Sequence, residues 1–93
     1  MNAKNVYQKA IEKWGVNAQV DMVQEECLEL ALAIRKYRRE PNEKRFEEFI
    51  DEVADVTIMV NQMENVEGWK ELIDERIAFK LNRLNDRITN NQF

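Results

Sequence analysis

The residues most able to do chemistry are acids that recur at fixed spacings. Glu25, Glu26 and Glu29 are repeated 26 positions later as Asp51, Glu52 and Asp55. On a helix, residues spaced i and i+3 share a face, so Glu26 with Glu29 and Glu52 with Asp55 form two acidic pairs. None of these four has a Lys or Arg at i±3 or i±4. No basic residue stands between Val20 and Ile34, and none between Phe46 and Trp69. A solvated helical flank ordinarily mixes both signs, which weighs against a bare acidic face. Carboxylates packed together repel, and a bound hard cation relieves the repulsion. An all-oxygen ligand set selects Mg²⁺, with Mn²⁺ as the substitute, over zinc or copper. His 0 excludes histidine triads, histidine-ligated metals and the di-iron Glu-x-x-His pattern. A single cysteine excludes an internal disulfide and a cysteine-based zinc site.

The elements that must position these acids are helical. With 93 residues the chain makes one domain, spanning 1–93. Gly 2 and Pro 1 are too few turn formers for a β-rich fold, and the abundance of Ala, Leu, Glu, Lys and Arg favours helix almost throughout. Gly15, Pro41 and Gly68 divide the chain into four predicted helices. The first runs from about Ala3 to Trp14, and the second from an N-cap at Asn17 to Arg39. The third follows Pro41-Asn42 and reaches about Glu64. The fourth runs from Gly68 to about Thr89, before a polar tail of Asn90, Asn91, Gln92 and Phe93. Helix two carries apolar residues at Val20, Val23, Cys27, Leu30, Ile34 and Tyr37; helix three carries Phe46, Phe49, Val53, Val56, Val60 and Met63 at the same offset of 26. The matched seams predict an antiparallel hairpin turning at Pro41-Asn42, with Cys27 as a small core residue. Each acid of the two pairs falls one residue before a seam residue, about 100° round the helix. Antiparallel packing then sends both pairs to one side of the hairpin.

The fourth helix places Ile73, Ile77, Leu81, Leu84 and Ile88 on an apolar seam, with Arg76, Lys80, Arg83 and Arg87 beside it. That basic stripe suits either a clamp on phosphates or salt bridges to the hairpin's acids. A second basic cluster, Arg35, Lys36, Arg38, Arg39, Lys44 and Arg45, surrounds the hairpin turn and reads as a solvated tip or an oligomer contact. Trp14, ending a short amphipathic helix, reads as core rather than as a base-stacking surface. Gln19 lies seven residues before Glu26 and so on the acidic face, where its amide either reads a base edge or is simply a surface Gln. Leu32, Ile50 and Ile58 lie off the seams, and covering them calls for a second subunit and a four-helix-bundle core formed on dimerisation. The 14 basic residues against 18 acidic ones disfavour nucleic acid as a partner. No apolar run approaches the ~20 residues of a membrane span and no signal-peptide pattern opens the chain, so a cytoplasmic protein without a membrane partner is expected.

Glu-Glu-x-x-Glu on one helix followed by Glu-x-x-Asp on the next resembles the MazG-like all-α nucleoside triphosphate pyrophosphohydrolases. The resemblance extends through Trp14-Gly15, Gln19, Glu25 to Leu30, Phe49 to Met59 and Lys80 to Leu84. It implies homodimers or tetramers, with Glu26, Glu29, Glu52 and Asp55 as Mg²⁺ ligands. Glu25 would help the attacking water, and Lys80 and Arg83 match a Lys-x-x-Arg of the family. The implied reaction is Mg²⁺-dependent hydrolysis of a nucleoside or deoxynucleoside triphosphate to the monophosphate and pyrophosphate. Alternatives within the superfamily are phosphoribosyl-ATP or a specific pyrimidine such as dCTP or dUTP. An alternative from another class is a non-enzymatic helical interaction module whose acidic patch meets a basic partner.

Overall fold

The computed structural model describes residues 1–90 and is all-helical there, with no strand among the described residues. Its four helices are α1 (Ala3–Trp14), α2 (Val16–Arg39), α3 (Glu43–Met63) and α4 (Trp69–Thr89). Asn91, Gln92 and Phe93 of the predicted tail lie outside the described residues. No helix among the described residues is long and apolar enough to cross a membrane.

The helix ends follow local chemistry. Gly15 joins α1 to α2 at φ 84° and ψ 159°, a backbone region that only glycine enters without strain. Its N–H donates to the Ile11 carbonyl at 2.8 Å, closing α1. Because α2 opens directly at Val16, Asn17 lies inside the helix and is not its N-cap; Gly15 holds that position with no side-chain cap. Asn42 does cap α3, its side-chain oxygen accepting the Arg45 N–H at 2.8 Å.

α2 and α3 form the antiparallel hairpin. Near the turn, Tyr37 meets Phe46 and Phe49 with ring centroids 5.7 Å away in each case. At the far end, the buried Gln62 Nε2 donates to the buried Gln19 Oε1. The packed face differs from the predicted seam. Along α2 the covered residues include Gln19, Val23, Glu26, Leu30, Ala33 and Tyr37; along α3 they include Phe49, Glu52, Val56, Met59 and Gln62. Val20, Cys27, Ile34, Phe46, Val53 and Val60 are exposed. A globular helix carries an apolar stripe more than ~100° wide, and one partner helix covers only one edge of it. The hairpin therefore closes on one edge of each stripe together with Glu26 and Glu52, and the other edge faces outward.

α1 lies across both hairpin helices, whereas α4 makes no comparable contact with any of them. Of the predicted α4 seam only Ile73 is half-buried; Ile77, Leu81, Leu84 and Ile88 are exposed. Ala33 is the one apolar residue among those described that is buried. The accessible surface is 7639 Å², against about 5,700 Å² for a compact monomer of this mass. The radius of gyration is 16.2 Å, against about 12 Å for a compact chain of this length.

Removing a side-chain N-cap costs about 1 kcal/mol. Asn42→Ala is expected to lose about that much in chemical denaturation, while Asn17→Ala, which removes no cap, stays within about 0.5 kcal/mol of the parent.

Candidate metal centre

The hairpin register sets the levels of the acids. Gln19 faces Gln62; seven residues onward on α2 is Glu26, and seven back on α3 is Asp55. Three more residues along each helix bring Glu29 level with Glu52. Glu26, Glu52 and Asp55 each present one carboxylate oxygen, and these oxygens all lie within 4.8 Å of one another. Oxygens bound at about 2.1 Å round one octahedral ion are about 3 to 4.2 Å apart, so small side-chain adjustments suffice to close a site. Glu26 and Glu52 are half-buried, while Asp55 is exposed.

Two carboxylate oxygens of the group are shielded from solvent. Glu26 Oε2 and Glu52 Oε2 are buried without any hydrogen-bond partner. Buried carboxylate oxygens in that condition need a proton or a cation. Desolvation pushes the Glu26 carboxyl above its ordinary range, followed by repulsion from Glu29, Asp55, Glu52 and Glu25. Desolvation also leads at Glu52, followed by repulsion from Glu29, Asp55 and Asp51. Glu29 thus belongs to the same field although it lies outside the closest oxygen group. Glu25 is exposed beside Glu26. The donor set is wholly oxygen and anionic, and it fits Mg²⁺ or Mn²⁺.

Hollows open on either side of the acids. One, of about 490 Å³, has mainly apolar walls formed by Trp14, Ala18, Met22 and Met59, with Gln19, Gln62 and Asp21. Trp14 is 58% exposed there, so it is not the core residue predicted. Gln19, at 5% exposure, is committed to Gln62 and serves as the hollow's inner wall. The other hollow, of about 370 Å³, is lined by Glu29, Leu32, Ala33, Lys36, Arg45, Glu48 and Glu52. Lys36 and Arg45, read from sequence as part of a solvated tip or an oligomer contact, therefore stand beside the acids. The sequence reading also missed Gln62 and Met59; their signal is the register, which pairs Gln62 with Gln19 and Met59 with Met22.

The basic stripe is placed elsewhere. Arg76, Lys80, Arg83 and Arg87 are exposed on α4, and Arg76 lies over the Phe79 ring at 4.7 Å. The single chain does not bring them against the acids. No protein-family model, curated protein or solved structure matches the chain.

The raised carboxyls have a stability consequence with a definite sign. Below about the ordinary value of 4.5, the folded and unfolded chains both hold these protons. As pH rises through the raised values, the folded chain alone must ionise against desolvation and repulsion, and stability is lost. Metal-free protein is expected to melt at progressively lower temperature over that rise. Glu52→Gln should flatten the decline and raise the metal-free melting temperature at neutral pH. Millimolar Mg²⁺ should raise the melting temperature of the parent but not of Glu52→Gln. Differential scanning calorimetry of both proteins across pH, with Mg²⁺ and with chelator, checks each point.

Proposed function

We propose that this chain is a MazG-like nucleoside triphosphate pyrophosphohydrolase that uses Mg²⁺, or Mn²⁺ in its place. The observation that supports it is the convergence of Glu26, Glu52 and Asp55 around two buried, unpartnered carboxylate oxygens. Glu26, Glu52 and Asp55 hold the ion, with Glu29 as the fourth carboxylate at the level of Glu52. A divalent ion held by these carboxylates would supply charge neutralisation for phosphate oxygens and acidify water beside it. Glu25, exposed next to Glu26, takes the proton of the attacking water in this reading; with His 0, a carboxylate must do so. Trp14, Met22 and Met59 offer an apolar hollow for the base, with the Gln19–Gln62 pair in its wall. The products are the nucleoside monophosphate and pyrophosphate.

The working unit is a homo-oligomer built from a dimer with a four-helix-bundle core. The chain exposes about 2,000 Å² more than a compact monomer of its mass. Covering that excess on two copies buries about 4,000 Å² in total, within the range of obligate dimers. In one chain the α4 stripe stands clear of the acids, so a role for Arg76, Lys80, Arg83 and Arg87 on the phosphates requires α4 of a second copy. Light scattering at micromolar concentration should give at least twice the 11.1 kDa chain mass. A well-folded, monodisperse monomer would refute the dimer.

Pyrophosphate release is to be measured with Mg²⁺ over the ribo- and deoxyribonucleoside triphosphates, dCTP and dUTP among them, and phosphoribosyl-ATP. At least one should be cleaved. Glu52→Gln should lower that rate more than ~100-fold, beyond the ~10–100-fold cost of disturbing a group that only supports a ligand. Glu64→Gln, nine residues past Asp55, should leave it unchanged. Silence across the panel, together with no Mg²⁺ bound by calorimetry, would instead indicate an acidic helical interaction module.

A further inference from the structure

We propose that Lys36 binds the terminal phosphates of the substrate, so that the nucleotide lies along the hairpin groove with its base at the Trp14 end and its β,γ-phosphates toward the hairpin turn. This rests on the pyrophosphohydrolase reading and adds a direction and a residue to it. Ala18, Met22, Glu29, Ala33 and Lys36 follow one another on α2 at steps of 4, 7, 4 and 3, which keeps them on one edge of the helix. Met22 and Lys36 each stand seven residues from Glu29, about 10.5 Å along the axis on either side of it. The groove therefore has three stations in order: a mainly apolar hollow, the carboxylates, and a polar hollow that shares Glu29 and Glu52 with the carboxylate station. A nucleoside triphosphate has the same order of character, an aromatic base, the phosphate to be cleaved, and a polyanionic end.

Two cations line the polar hollow, and they differ in commitment. Arg45 is held by Glu48 at 3.0 Å and by Glu40 at 3.7 Å. Lys36 forms no ion pair with any carboxylate among the described residues. Its flexible stem and compact ammonium suit it to a phosphate that arrives and departs. Lys36 also lies in the last turn of α2, where a cation complements the helix dipole. That role needs no groove and predicts no effect on ligands.

The test uses the full chain with Mg²⁺ and two probes, inorganic pyrophosphate and the nucleoside monophosphate product of the best substrate. Lys36→Gln should weaken pyrophosphate binding in calorimetry about tenfold, the scale of one charge-assisted hydrogen bond, and leave monophosphate binding unchanged. Lys36→Arg should restore most of the affinity. Lys44→Gln, a tip cation that does not line the hollow, should change neither. Trp14→Ala should do the reverse, weakening the monophosphate and sparing pyrophosphate. The Mg²⁺-dependent rise in melting temperature should survive in Lys36→Gln, which shows the carboxylates intact. Unchanged pyrophosphate affinity in Lys36→Gln, or a loss confined to the monophosphate, overturns the proposal while the parent's pyrophosphate release leaves the function standing. A parent that cleaves nothing and binds neither probe overturns both.

Discussion

Carboxylates packed into a helix–helix contact are the constraint on which this molecule turns. Glu26 and Glu52 occupy positions on the hairpin's inner face, and each buries an oxygen with no partner. Their desolvation, with repulsion from the neighbouring acids, opposes closure of α2 on α3, and both carboxyls hold their protons more tightly as a result. Around them the hairpin is fastened at its two ends. The Tyr37, Phe46 and Phe49 rings cluster by the turn, and the Gln19–Gln62 pair closes the opposite end. These two fastenings set the register that keeps the acids level, so charge is confined to the middle of the contact. A divalent ion would turn the least favourable part of the hairpin into a cross-link.

The same arrangement explains why so little of the chain is buried. Packing through one edge of each apolar stripe brings the acids together but leaves Val20, Cys27 and Ile34 on α2 and Phe46, Val53 and Val60 on α3 turned outward. α4 adds its own exposed row of Ile77, Leu81, Leu84 and Ile88. Apolar area on this scale drives association through the hydrophobic effect. Charge organises the inner groove, and the proposed second copy would cover the apolar surface on the other helix edges. The two demands are compatible because they use different edges of the same helices.

Much of the fold was legible along the chain. Gly15 and Gly68 interrupt helix where the backbone takes positive φ, and Pro41-Asn42 marks the hairpin turn, with Asn42 capping the helix that follows. The 26-residue offset between the acidic triplets places them level on an antiparallel pair, because turn position determines which residues of a hairpin face each other. Asn17 misled because capping residues are common just before helices, yet Gly15 let α1 run into α2 with no residue spare for a cap.

What the sequence by itself determined is helix content, the hairpin register and the company of Glu26, Glu52 and Asp55; these follow from local backbone preference and fixed spacing. Tertiary structure alone decided which edge of each apolar stripe is inside. A 3.5-residue repeat states that a face is apolar, but its width accommodates more than one neighbour, and only packing selects among them. That choice moved Glu26 and Glu52 from a flank into the contact, buried Gln19 against Gln62 and left Cys27 exposed. It also set Lys36 in one hollow with Glu29 and Glu52. Periodicity carries no information about the angle at which two helices meet, and that angle determines whether a carboxylate faces water or another carboxylate.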